Sequence, residues 1–230
     1  MLEVTQAHFE QQKYRQFGRQ NPEAMNFEFW QYMVKTRLSA WEASYRFNQP
    51  RATLEHAIWC FDRFGMSETK LKDGRLICVG GEHEDFYDDD FCIYNDVIVF
   101  NRDDDFSIYG YPRAVFPPTD FHSATLVGNH IYLIGGLGYR GERLFEQTPV
   151  YRINITSLVI EAVETNGEKP GWIHQHEAEY FEREHLIYVS GGLLSANSQG
   201  QEIIFANIDD YVLNLSMMTW HKAIEGDFLL

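Results

Sequence analysis

The chain predicts a mainly β fold behind a helical N-terminal segment, and three observations carry that expectation. Three apolar, strand-like runs end in the same Gly-Gly pair: LICVGG from Leu76, IYLIGG from Ile131 and LIYVSGG from Leu186. The pairs begin at Gly80, Gly135 and Gly191, so the pattern recurs after 55 and 56 residues, a period that marks repeated supersecondary structure. Residues 1–58 lack such runs and space their apolar side chains at helical intervals instead.

In that segment Asn21-Pro22-Glu23 offers an N-cap, a proline for the first helical position and an acid for the first turn, which predicts a helix start. Met25, Phe29 and Met33 follow at four-residue steps, with Trp30, Val34 and Leu38 as an adjacent row. The resulting apolar face needs a sheet or a partner to cover it. Ser39 is placed to cap a second helix carrying Trp41 and Tyr45. Residues 3–17 predict a weaker helix, anchored by Phe9, Tyr14 and Phe17, with Gly18 near its end.

Each Gly-Gly pair is followed by a further strand: NDVIVFN from Asn95, TPVYRIN from Thr148 and DDYVLNL from Asp209. Alternation is partial, as in His130-Ile131-Tyr132-Leu133-Ile134, so these strands read as buried on both faces. Glycine at a strand end lets the backbone bend and approach a neighbouring element where a Cβ would obstruct it. Pro112, Pro117, Pro118 and Pro170 fall between repeats, where a proline removes no ladder hydrogen bond.

This order of apolar strand, Gly-Gly, variable loop and second strand resembles the kelch motif over about residues 60–222. The lead-in segments Asp62 to Leu71, Asp120 to Leu126 and His174 to Tyr180 correspond, and Asp120-Phe121-His122-Ser123-Ala124-Thr125 is the cleanest copy. The first two repeats depart from the motif, with Ile108 and Ile160 near where the third has Trp220. The resemblance implies three four-stranded β-propeller blades, at about 59–112, 113–168 and 169–224, behind the 1–58 segment. Propellers usually close with four to eight blades. Three blades therefore imply closure by a second copy, as a six-bladed homodimeric ring, or a helical cap on an incomplete ring. A fourth, degenerate blade would have to come from residues 1–58, which carry few strand signals.

The net charge of −15 repels phosphate backbones and anionic lipid, and no basic patch offsets it. No nucleic-acid or membrane partner is expected. The polar N-terminus has no apolar leader run and no stretch of about 18 apolar residues occurs, so a soluble cytoplasmic protein is expected. Hydrophobic residues make up 44% and aromatics 15% of the 230 residues, enough for a sizeable core. Cys60, Cys78 and Cys92 lack paired spacing and read as reduced, packed thiols.

Gly136-Leu137-Gly138-Tyr139-Arg140-Gly141 matches a dinucleotide fingerprint, but Pro149 and the missing strand-helix alternation make it a glycine-rich turn. Glu82 to Asp90 gathers acids and His83 without the spacing or turn glycine of a calcium loop, and reads as an acidic interaction loop. His122, His174 and His176 precede the inner strands of the second and third repeats, where three imidazoles can form a metal site or serve as hydrogen-bonded packing residues. Hydrolase and nucleotide-binding signatures are missing from the sequence. Asn154-Ile155-Thr156 and Asn214-Leu215-Ser216 match the glycosylation pattern and are read as chance matches on strands.

The expected function is a non-enzymatic protein-binding module of kelch type that recognises a protein partner through its loops. The candidate contacts are Arg63, Glu82, His83, Asp85, Tyr87, Asp120, His122, Tyr139, Arg140, Trp172, His174 and His176, with no catalytic residue, cofactor or metal assigned. The alternatives are a metal-assisted enzyme using the histidines with Asp62, Asp85 or Asp120, and an immunity or antitoxin-type inhibitor that neutralises a basic protein by charge complementarity.

Overall fold

Each Gly-Gly repeat lays four neighbouring strands into one sheet in chain order, with a strand pair inserted between the second and third of them in the first and third repeats, and both glycines of every pair take a backbone that other residues resist. In the computed structural model, which describes residues 4–49, 56–83, 91–102, 105–224 and 227, the φ angles are 63° and 89° at Gly80 and Gly81, 68° and 125° at Gly135 and Gly136, and 64° and 79° at Gly191 and Gly192. A Cβ on the second glycine would meet the lead-in of that repeat's own first strand. It would lie 2.8 Å from Met66 Cβ at Gly81, 2.5 Å from Thr119 Oγ1 at Gly136 and 2.6 Å from the His174 carbonyl at Gly192. The pair is thus set by a close approach within the repeat. At Gly135 the neighbouring repeat also presses in, with the Ile173 carbonyl 2.2 Å from a built Cβ.

By contacts the chain divides into two units, Met1–Met66 with Lys70–Pro118, and Ser67–Thr69 with Thr119–Leu230. The first unit holds the helices α1 (Gln6–Gln12), α2 (Glu28–Thr36) and α3 (Ala40–Arg46). Its strands are β1 (Glu23–Ala24), β3 (Leu76–Val79), β4 (Glu82–His83), β5 (Cys92–Ile93), β6 (Val97–Phe100) and β7 (Phe106–Gly110), while β2 (Ser67–Lys70) belongs to the second unit except for Lys70. Five strands form a sheet in the order β1-β7-β6-β3-β2, and β4 pairs with β5.

The helix expected to start at Asn21 does not form there. Glu23 and Ala24 pair with Gly110 and Tyr109, and Asn26 Oδ1 accepts the Ile108 N–H at 2.7 Å, so this backbone is committed to the sheet. The helix begins at Glu28 and ends at Arg37, whose left-handed φ of 56° returns its N–H to the Met33 carbonyl. Phe29, Trp30, Met33 and Val34 are buried on it as the apolar rows require. Ser39 caps α3 as expected: its Oγ accepts the Glu42 N–H while Glu42 Oε2 accepts the Ser39 N–H. The first helix is shorter than expected, and Tyr14 bridges to Ile58 instead. Helices and sheet share one core, in which Trp30 stacks on Trp59 at 4.8 Å.

In the second unit β8 (Ser123–Val127), β9 (His130–Ile134), β10 (Val150–Asn154) and β11 (Ile160–Ala162) form one sheet in sequence order. The other strands are β12 (Asn166–Gly167), β13 (Trp172–His174), β14 (Glu177–Phe181), β15 (Leu186–Ser190), β16 (Leu193–Ser198), β17 (Gln201–Ala206), β18 (Tyr211–Asn214) and β19 (Thr219–Lys222). They build a sheet β12-β19-β18-β15-β14 and a smaller one, β13-β16-β17. The sheets meet along β8 and β14. Among the described residues none closes on itself. Ile131, Tyr132, Leu133 and Ile134 are all buried, as two-sided burial demands, and the core joins Ile134, Val150, Ile187, Val189, Leu213 and Trp220. Ile108, Ile160 and Trp220 each lie buried on the fourth strand of their repeat. Asn154 and Asn214 end their strands alike, each Oδ1 accepting two backbone N–H groups from the following turn. Among the described residues no helix is long and apolar enough to cross a membrane.

Candidate functional site

The most elaborate polar arrangement lies in the second unit, where two lead-in segments run side by side. Phe121 and Gln175 hold equivalent left-handed positions, φ 51° and 56°, and the Gln175 N–H donates to the Phe121 carbonyl at 2.9 Å. Each turn aims the next residue, a histidine, at the serine that opens a first strand. His122 Nε2 and Ser67 Oγ share a hydrogen bond of 2.8 Å, and His176 Nε2 and Ser123 Oγ share one of the same length. Asp120, fully buried, accepts the Gly138 N–H at 2.7 Å, which turns the candidate fingerprint into a closed loop.

Burial keeps these imidazoles neutral. It pulls His122 down to about 4. It does the same to His174, also about 4, with the Arg143 guanidinium adding to the effect. His176 falls to about 3, through burial and then the neighbouring His122 and His174. Neither ring nitrogen of His174 finds a hydrogen-bond partner, nor does Ser195 Oγ on the facing strand. Among the described residues no group of three or more His, Cys, Asp or Glu side chains is placed to hold a metal ion. His122 and His176 thus tie two first strands through their serines, and His174 lies buried without a hydrogen-bond partner.

Above them the loop from Gly136 is tied to the β13-β16-β17 sheet. Trp172 Nε1 donates to the Leu137 carbonyl at 2.9 Å, and Arg143 donates to the Leu137 and Gly138 carbonyls. The nearly enclosed Arg143 also pairs with Glu202, which Arg140 approaches from solvent at 3.4 Å. Apolar side chains of this region are exposed: Leu144 at 65%, and on the two faces of β17 Ile203 at 43% with Phe205 at 45% and Ile204 at 51%, followed by Ile208 at 91% beyond the strand. Tyr139 is half-buried beside the fully presented Arg140.

The first unit places its candidates differently. Arg63, expected as a loop contact, is enclosed: it forms a two-pronged pair with Asp96 and lies 3.5 Å over the Tyr94 ring. Trp59 Nε1 donates to the same carboxylate at 2.8 Å. A guanidinium stripped of water is retained only with such partners, so Arg63 is a core residue and does not reach the loop surface. Glu82 is buried, and its backbone bridges to Phe64. His83 Nδ1 lies 3.4 Å from Cys60 Sγ, a thiol that burial pushes up to about 12. All three cysteines are buried and none is in a disulfide, as the sequence implied. Asp62 pairs with Arg37 at 3.0 Å. Asp85 and Tyr87, with residues 84–90 as a whole, lie outside the described residues.

Sequence reasoning missed Arg143, Glu202, Ser195 and Asp96. The Arg143–Glu202 pair spans 59 residues, beyond any local pattern. A signal did exist for the histidine brackets, since His122 and Ser67 are 55 residues apart and His176 and Ser123 are 53 apart, close to the repeat length. No protein-family model matches the chain, and no curated protein matches it.

Proposed function

We propose that this chain is a kelch-type assembly of β-propeller blades that acts as a non-enzymatic protein-binding module. The observation that carries the binding reading is the exposed apolar strand β17 of the second unit, with Ile204 on one face and Ile203 and Phe205 on the other, next to exposed Leu144 and the presented Arg140 and held by the Arg143–Glu202 pair. Apolar and arginine side chains held on a rigid support are the usual anchors of protein recognition. The kelch reading is supported by three repeats with one strand order and one glycine geometry, and by the twice-used histidine–serine bracket. Three blades fall short of the usual four to eight, and either a second copy or the N-terminal helices, which share a core with the first sheet, complete the assembly.

A photo-reactive amino acid at position 144 tests the binding reading, with one at position 164 as the control. Protein cross-links from 144, reduced by Arg140→Glu and absent from 164, are expected. Equal cross-linking from both positions, or none from 144, refutes it.

A further inference from the structure

Among the described residues β17 is an apolar edge strand, and its turn sets the phase of its hydrogen bonds. The β16–β17 hairpin turns through Gln199 and Gly200, left-handed at both central positions with φ 53° and 83°, and closes on the pair Ser198↔Gln201. In such a two-residue turn the closing pair is hydrogen-bonded and the ladder alternates from there. Ile203 and Phe205 therefore direct their backbone groups at β16, whereas Glu202, Ile204 and Ala206 direct theirs at the open edge. The Asn207 N–H, donated inward to the Gly192 carbonyl at 3.0 Å, continues the same phase. Among the described residues β17 pairs with no strand other than β16. It carries no lysine, proline or bulge of the kind that usually protects an exposed edge.

We propose that β17 pairs antiparallel with β17 of a second copy, about a two-fold axis at Ile204. The proposal rests on reading this surface as protein-binding and names its partner. Centred on Ile204, the pairing sets Ile204 against Ile204 on one face and Ile203 against Phe205 on the other. Glu202 falls opposite Ala206, and the outward N–H and C=O groups of 202, 204 and 206 all find partners. Centring on Glu202 instead would set two carboxylates face to face. Charge points to the same occupant. A chain of net charge −15 repels its own copy over most of its surface, yet between Leu193 and Ala206 the only charged residue is Glu202, which Arg143 and Arg140 neutralise. A six-residue strand pair is small beside the roughly 800 Å² per partner of a standard interface, so the dimer is reversible and depends on concentration.

Sedimentation velocity of the full chain over a wide concentration range tests this, with circular dichroism to verify folding. A monomer–dimer equilibrium is expected. Ile204→Pro removes one outward N–H per copy without touching the β16 ladder and weakens the dimer about tenfold or more. Ile204→Lys, which serves equally if the proline variant does not fold, sets two ammonium groups face to face and weakens the dimer in a way that salt partly reverses. A monomer at every concentration overturns the proposal. So does a dimer that neither substitution alters, which would be joined elsewhere, as in a closed ring of blades. A monomer that still cross-links a different protein from position 144 defeats this proposal alone and leaves the binding reading standing.

Discussion

Lowering the pH from 7 to 5 should strip the second unit of much of its stability, because three imidazoles are held neutral inside it. With an ordinary value near 6.5, His122, His174 and His176 are almost fully protonated at pH 5 in the unfolded chain. In the folded chain, where burial holds them at about 4, about 4 and about 3, they stay largely neutral. The unfolded state therefore binds more protons, and stability that is whole above pH 6.5 falls as the pH drops toward the folded values. Each histidine contributes a loss of about 2 kcal/mol at pH 5, about 6 kcal/mol for the three. That rivals the total stability of many domains, about 5–15 kcal/mol. Carboxylates held down by their partners, such as Glu10 and Asp227, titrate below this window. The assay is native-state amide exchange of β9, β15 and β18 at the two pH values, corrected for intrinsic rates. His174→Leu, which deletes two unpartnered nitrogens, should shrink the pH effect by about 2 kcal/mol. Equal protection at pH 7 and pH 5, or an unchanged pH slope in His174→Leu, refutes the reasoning.

Two further substitutions probe the frame. Gly191→Ala, with φ 64° and open space around a built Cβ, should cost about 1–2 kcal/mol for the left-handed backbone alone. Gly192→Ala should cost clearly more in urea denaturation, because its Cβ would also meet backbone of His174 and His176 at 2.6–2.7 Å; equal costs would contradict the close-approach account of the pair. In the first unit, Asp96→Ala should cost about 3–5 kcal/mol by leaving the Arg63 guanidinium buried without its carboxylate. The double variant Arg63→Met with Asp96→Leu should recover much of that loss, and a double variant as unstable as Asp96→Ala would sink the reading.

The β architecture was legible because its signals are local. Apolar runs ending in glycines that must adopt positive φ became the second strands of three repeats, and the Ser39–Glu42 capping box announced α3. The Asn21 helix start failed because its cap residues resemble any polar turn, while a distant strand, β7, competes for the same backbone. Partners far apart in sequence stayed hidden for the same reason: Arg63 looked like a surface residue until Asp96, 33 residues on, enclosed it. The His122 and His176 brackets were half legible, since their spacing follows the repeat, but their left-handed turns at Phe121 and Gln175 carry no glycine to announce them. The β16–β17 hairpin was legible in principle from Gln199-Gly200 between two strand-forming runs. Its exposed edge was not, because exposure depends on what lies beside a strand.

The most direct measurement of the recognition surface is residue-resolved amide exchange along β17 at low and high chain concentration. In the dilute chain the Ile203 and Phe205 amides should exchange slowly while those of Glu202, Ile204 and Ala206 exchange fast, and at high concentration the second set should become protected as the open edge finds its partner. Fast exchange at Glu202, Ile204 and Ala206 at every concentration would contradict the account.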